Sequence, residues 1–170
     1  MTTSQQAGVQ SRTVSWHDPL VTQAAVASVS GLAYWRAVAD GELPPPPISQ
    51  LMRMRVIDVE HGRITFGCDP DASMHNPMGM VHGGLVCTLL DTVAACALHT
   101  TLPEGVAYTS VEIKVNYLKA VTEDSGPLTA VGTVVKAGSR IGFAEGAVTD
   151  ASGALVATAT STLLIFELRR

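Results

Sequence analysis

Asp91 stands between Leu89-Leu90 and Val93-Ala94-Ala95, an acid in apolar company. The run from Gly83 to about Thr100, GGLVCTLLDTVAACALHT, is apolar nearly all round and holds no other acidic residue, so it reads as a buried helix. Burying a lone carboxylate costs several kcal/mol unless it is paired or its pKa rises. A poorly solvated carboxylate suits a base or nucleophile; a partly exposed or capped Asp at a helix bend is the plainer alternative. Just ahead of the run stand Asn76, His82, Gly83 and Gly84. Glycines at a helix start let the backbone approach a ligand, and the first amides there have no intrahelical partner. Lying at the positive end of the helix dipole, those N–H groups suit a developing oxyanion. A tight loop-to-helix turn would explain His-Gly-Gly alone; Asn76 upstream and Asp91 downstream are what give it chemical meaning.

Spacing then constrains assembly. Gly84 and Asp91 are seven positions apart, so they share a helix face but lie about 10 Å apart along the axis at 1.5 Å per residue. One carbonyl cannot sit ~3 Å from both groups in the same chain. Two such helices packed antiparallel about a two-fold axis would bring Asp91 of one copy to the Gly83–Gly84 amides of the other. The expectation is a homodimer with shared sites.

The remaining elements must position these groups. Residues 1–15 are small and polar and read as a mobile tail. Asp18-Pro19 is a helix start, and the helix runs toward Gly41, with Gly31 weakening its middle so that it can divide in two. Its apolar positions (Leu20, Val26, Val29, Leu32, Trp35, Val38) suit packing on the core or on a partner subunit, or closing one end of a substrate tunnel. Pro44 to Pro47 read as a stiff extended spacer. Met52 to Val56 alternates, His61-Gly62 marks a turn, and Ile64, Phe66 and Cys68 alternate again, giving a hairpin. Residues 69–82 read as irregular loop. Val111, Ile113, Val115 and Tyr117 alternate with Ser110, Glu112, Lys114 and Asn116, a strand with Ser110 on its polar face. Three more β-rich runs, near 128–136, 140–149 and 154–166, are joined by turns at Lys136-Ala137-Gly138-Ser139 and Asp150-Ala151-Ser152-Gly153. The fold class is α+β: an antiparallel sheet wrapped around a central helix, with an extra N-terminal helix outside. Residues 1–47 form the tail, helix and spacer, and 48–170 the main domain. There is no internal repeat and no low-complexity segment.

Composition removes several functions. The chain has 170 residues, 46% hydrophobic and 15% charged, with a net charge of −4, so a disordered chain and a nucleic-acid partner are both disfavoured. Cys68, Cys87 and Cys96 are widely spaced, with no CxxC pair, and read as buried reduced thiols. The five histidines (His17, His61, His75, His82, His99) form no HxH or HExxH group, so no metal is expected. No signal sequence and no run of ~18 apolar residues is present, which reads as cytoplasmic with no membrane partner.

The string His75-Asn76-Pro77-Met78-Gly79-Met80-Val81-His82-Gly83-Gly84, followed by Leu90-Asp91, resembles the signature of hotdog-fold acyl-CoA thioesterases of the PaaI type. The resemblance spans about residues 51 to 166. It implies that Asp91 activates water or attacks the thioester carbonyl, that the Gly83 amide polarises that carbonyl, and that Asn76 and His82 hold the carbonyl or the water. Ser110 aligns with a Ser/Thr that orients water in some relatives, an assignment at odds with its polar-face parity. Tyr117 and the hairpin Lys136, Gly138, Ser139, Arg140 and Ile141 match positions that contact coenzyme A, with Gly84 beside them in the substrate site. Lys136 and Arg140 suit nucleotide phosphates or are solvated turn charges. Met74, Met78 and Met80 suit an acyl groove or plain gap-filling. The implied protein is a homodimer or a homotetramer, and it needs no cofactor, coenzyme A being part of the substrate. Two alternatives stay open: a non-catalytic acyl-CoA-binding or regulatory module, and an enoyl-CoA hydratase of the same fold. The hydratase uses an Asp/His pair on another loop, which this sequence lacks at matching positions.

Overall fold

The structure, a computed structural model, describes residues 8–168. Helices α1 (Pro19–Ser28), α2 (Gly31–Ala39) and α3 (Pro47–Leu51) precede β1 (Met54–Glu60) and β2 (Arg63–Cys68). Helix α4 (Gly83–His99) follows, then β3 (Val106–Tyr117), β4 (Leu128–Ala137), β5 (Ile141–Thr149) and β6 (Leu155–Glu167). The six strands form one antiparallel sheet in the order β1-β2-β4-β5-β6-β3. Helix α4 lies along its inner face, against β2 to β6.

The approach of α4 to the sheet is set by small residues. Ala130, Ala144, Ala157 and Ala159 are buried on the inner face, opposite Leu85, Leu89, Leu90, Val93 and Leu98. At Gly132 a side chain is impossible: a Cβ there would lie 2.0 Å from the Val93 carbonyl oxygen. The helix is apolar on the sheet side and bears Gly84, Cys87, Thr88, Asp91 and Thr92 on its more exposed side, at helical spacing.

The N-terminal helical segment is in two pieces, the division that Gly31 allowed for. It divides at Val29-Ser30, where the Ser30 hydroxyl accepts from the Ala33 amide and caps α2. Gly31 is therefore the first residue of a second helix, and its position is dictated by contact. A Cβ on Gly31 would fall 1.8 Å from the His99 carbonyl oxygen, and the Gly31 amide donates to the Leu102 carbonyl (3.1 Å). This seats α2 against the C-terminal end of α4, with Tyr34, Trp35 and Val38 buried in the core. The four-proline run is not extended throughout. Pro47 starts α3, since a first-turn residue needs no N–H and proline's φ already suits a helix.

Other boundaries also moved. Strand β1 begins at Met54 rather than Met52, β3 begins five residues before Val111, and the loop 69–82 contains a 3-10 turn (Ala72–Met74) and a His75–Val81 bridge. Of the expected mobile tail, residues 1–7 lie outside the described residues. Arg12 is tied down by the Asp71 carboxylate (2.9 Å) and the Leu51 carbonyl (2.8 Å).

Gly31→Ala should therefore cost about 2 kcal/mol or more, lowering Tm by roughly 4–8 °C. Gly8→Ala, in open space, is the control. Equal melting temperatures for the two variants would show that the α2–α4 contact is not tight.

Candidate active site

The start of α4 is built by His82. Its backbone is extended, and its Nδ1 accepts from the Gly84 amide at 2.8 Å, so it is the N-cap. An accepting Nδ1 leaves the neutral ring's proton on Nε2. The Gly84 N–H is thereby occupied, while the Gly83 N–H has no hydrogen-bond partner among the described residues. Tyr117 lies over this point: its hydroxyl donates to the Gly83 carbonyl (2.9 Å), and a Cβ on Gly83 would sit 3.3 Å from its ring. Asn76 shapes the preceding loop. Its Oδ1 accepts from the Met78 (2.9 Å) and Met80 (3.2 Å) amides, leaving the side-chain NH2 to donate elsewhere. Asn76, Met80, Gly83, Tyr117 and Lys119 line one pocket of about 300 Å³.

Asp91 is half-buried two turns along the helix, and its Oδ1 accepts from the Ser110 hydroxyl at 2.7 Å. Ser110 thus faces the helix, against its expected place on the polar face. The reason is a β-bulge: the β3–β6 register slips between Ser110 and Glu112. Val111 is the extra residue and is exposed. On one side of the bulge Val106, Tyr108 and Ser110 face inward, and on the other Ile113 and Val115. No simple alternation rule detects such a slip. Asp91 and Ser110 open onto a second pocket of about 520 Å³, shared with Trp35, Ile48, Ser49, Thr92, Cys96 and Tyr108.

Asp91 and the Gly83 amide are thus in different pockets of one chain, about 12 Å apart along the helix at 1.5 Å per residue. The hairpin Lys136, Gly138, Ser139, Arg140 and Ile141 is exposed and lines neither pocket. The adjoining Gly142 packs on Leu98, near the opposite end of α4 from Gly83. Of the three methionines considered for a groove, Met74 lines a pocket of about 440 Å³ with His82 and Gly84, Met80 lines the Asn76 pocket, and Met78 is solvent-exposed.

Sequence reasoning missed Lys119, Ile48, Ser49 and the partnership of Trp35 with His99. Lys119 reaches the Gly83 pocket but is paired with Asp150, a buried carboxylate. Its position just past the end of β3 was the available signal. The Trp35 indole donates to His99 Nδ1 at 3.0 Å, an interaction 64 positions apart that no local pattern reveals. Burial pushes the Cys96 thiol far above its ordinary range, so in the Asp91 pocket it is a neutral lining group.

Residues 78–157 match the family described as the thioesterase superfamily. Among known proteins, the chain is 39% identical over 74 residues to a Halobacterium salinarum protein described as an esterase, a match covering 42% of this chain and 47% of that protein. The chain thus spans about half the length of that relative. A Ralstonia eutropha structure, described as a thioesterase related to phenylacetic acid degradation, superposes with a TM-score of 0.70 at 25% identity, covering 77% of this chain and 98% of that one. A Streptococcus pneumoniae thioesterase structure with coenzyme A gives 0.62 at 25% identity, covering 69% and 88%. Among the described residues no helix is long and apolar enough to cross a membrane.

His99, which holds Trp35 from behind the pocket, gives the fold a pH dependence. Burial lowers the His99 pKa from 6.5 to about 4. An unfolded chain binds this proton below about pH 6.5 and the native one only near 4, so native stability is full above 6.5 and is lost as pH falls toward 4. Asp71, held down to about 2 by its Ser73 hydrogen bond, adds acid sensitivity only below the ordinary carboxylate range. From pH 7 to 5, stability should fall by about 2 kcal/mol, or roughly 4–8 °C in Tm. His99→Gln keeps an acceptor for Trp35 and should flatten that slope; thermal melts with an unchanged slope would contradict it.

Proposed function

We propose that the chain hydrolyses an acyl-CoA thioester to a free carboxylic acid and coenzyme A, a reading supported by the match of residues 78–157 to the thioesterase superfamily and by the hotdog fold. The observation that carries this reading is the Ser110–Asp91 hydrogen bond at the mouth of a pocket, an acid held by one oxygen with the other left to act. The bound coenzyme A in the Streptococcus pneumoniae structure supports the ligand class.

Hydrolysis needs three things from the chain. A donor must sit where negative charge develops on the carbonyl oxygen, and the free Gly83 N–H at the positive end of α4 supplies it, with the Asn76 NH2 in the same pocket. A base must take a proton from water, or a nucleophile must attack the acyl carbon; Asp91 has the carboxylate for either. Ser110 holds that carboxylate in one orientation. Water's hydroxyl joins the acyl carbon, the C–S bond breaks, and the sulfur takes a proton to leave as a thiol. A thioester is reactive enough that no metal is called for.

The separation of Asp91 from Gly83 in one chain makes the site a shared one in this reading. Strand β3 supports it: twelve residues long, it lies at the edge of the sheet with a partner on one side only. Such an edge is a ready template for a second copy, and two β3 strands paired about a two-fold axis would set the two α4 helices side by side in opposite directions. Acyl-CoA binding without turnover is the competing reading, and it lacks a use for the Ser110–Asp91 pair.

Asp91→Asn should lower kcat by 100-fold or more with melting temperature and oligomeric state preserved. Thiol release at near-normal rates would overturn the assignment. Equal mixtures of refolded Asp91→Asn and Asn76→Ala chains should recover about a quarter of native activity, because half the dimers are mixed and each holds one complete site. No recovery despite verified exchange would place both residues in a site within one chain.

A further inference from the structure

We propose that Tyr117 is a positioning residue for the hydrolysis: its hydroxyl clamps the first turn of α4 so that the Gly83 N–H stays aimed at the ester's carbonyl oxygen. This rests on the thioesterase reading and gives that reading a further residue. A donor for a developing oxyanion is effective only when it is held in place before the charge appears. Yet the donor here opens a helix with two consecutive glycines, the residue with the widest backbone freedom and among the poorest helix formers. Left to itself, such an end frays.

One peptide unit is held at both of its ends. The Gly83 carbonyl accepts from the Tyr117 hydroxyl (2.9 Å), and the Gly84 amide of the same peptide donates to His82 Nδ1 (2.8 Å). His82 is a local cap, whereas Tyr117 comes from the last position of β3. Its backbone there is fixed by pairing with Ala157, and the next amide, Leu118, donates to the Val156 carbonyl (2.8 Å). The ring also packs on Gly83 so closely that a Cβ there would lie 3.3 Å from it. The β-bulge is what brings Tyr117 to this place. Ser110 and Tyr117 are seven positions apart, an odd spacing that a regular strand would put on opposite faces. With the extra residue between them, both hydroxyls turn to α4, Ser110 at Asp91 and Tyr117 at Gly83. Partial burial and the neighbouring Cys87 thiol raise the Tyr117 pKa above its ordinary value, so the phenol keeps the proton it donates. This role differs from the coenzyme A contact expected of Tyr117. A group that only binds coenzyme A acts on KM, while one that aims the amide acts on kcat.

Tyr117→Phe removes the hydroxyl and keeps the ring. The full-length variant is compared with the native chain by thiol release from acetyl-CoA and benzoyl-CoA, and by amide hydrogen exchange read residue by residue. Three results are expected together. kcat falls at least tenfold, and KM stays within twofold of native. Exchange at the Gly84 and Leu85 amides, both bonded to His82, quickens at least fivefold while residues 89–98 exchange as before. Any one of the three missing overturns the proposal: a raised KM with kcat kept marks a coenzyme A contact, and faster exchange along the whole helix marks a merely structural role. If the native chain hydrolyses neither ester, the thioesterase reading fails, and exchange alone then decides the clamp. Quickening confined to Gly84 and Leu85 upholds it; any other pattern rejects it.

Discussion

The seating of α4 on the sheet governs the rest of the molecule. A helix this apolar must be covered, and Gly132 and the inner-face alanines let the sheet come close enough to do so. Close seating leaves only a narrow stripe uncovered, from Gly84 through Cys87 and Thr88 to Asp91 and Thr92. The candidate acid and the helix's threonine hydroxyls fall on that stripe, while His99, the polar side chain at the far end, is buried against Trp35. The same seating points the helix's first amides at the loop bearing Asn76, with His82 taking one of them and Gly83 keeping its own.

The N-terminal segment adds a second layer to this arrangement. It reaches the core through α2, whose Gly31 touches the last turn of α4 and whose Trp35 is hydrogen-bonded to His99 there. The far end of the helix is thus fixed by a segment outside the superfamily match, and Trp35 of that segment also lines the pocket at Asp91. Stability and pocket shape are coupled here: the buried His99 that anchors Trp35 is also a group whose protonation opposes folding.

Much of this was legible in the residues alone. Periodicity found α4 to within a residue, because seventeen positions with one acid leave few other readings, and the hairpin turns separated the later strands correctly. The candidates Asn76, His82, Gly83 and Asp91 were picked out by residue type and spacing, and the gap of about 10 Å between Gly84 and Asp91 followed from helix rise alone. What escaped was of two kinds. Contacts between distant positions, such as Trp35 with His99 and Ile48 with the Asp91 pocket, leave no local trace. Proline at the first position of a helix looks the same in sequence as proline in an extended run, so α3 was hidden inside the spacer.

The bulge in β3 has a consequence for how this strand can change. Side chains on either side of Val111 alternate in opposite phase, so which face Ser110 shows depends on whether the residue count between it and Ile113 is even or odd. Point replacements leave that parity alone. Losing one residue there would rejoin the two phases in regular alternation, with Ser110, Ile113 and Val115 all inward and no bulge needed. Paired at its present length without the bulge, β3 would have to turn outward either Ser110 or the half bearing Ile113 and Val115, so the hydroxyl beside the acid depends on that one unpaired residue.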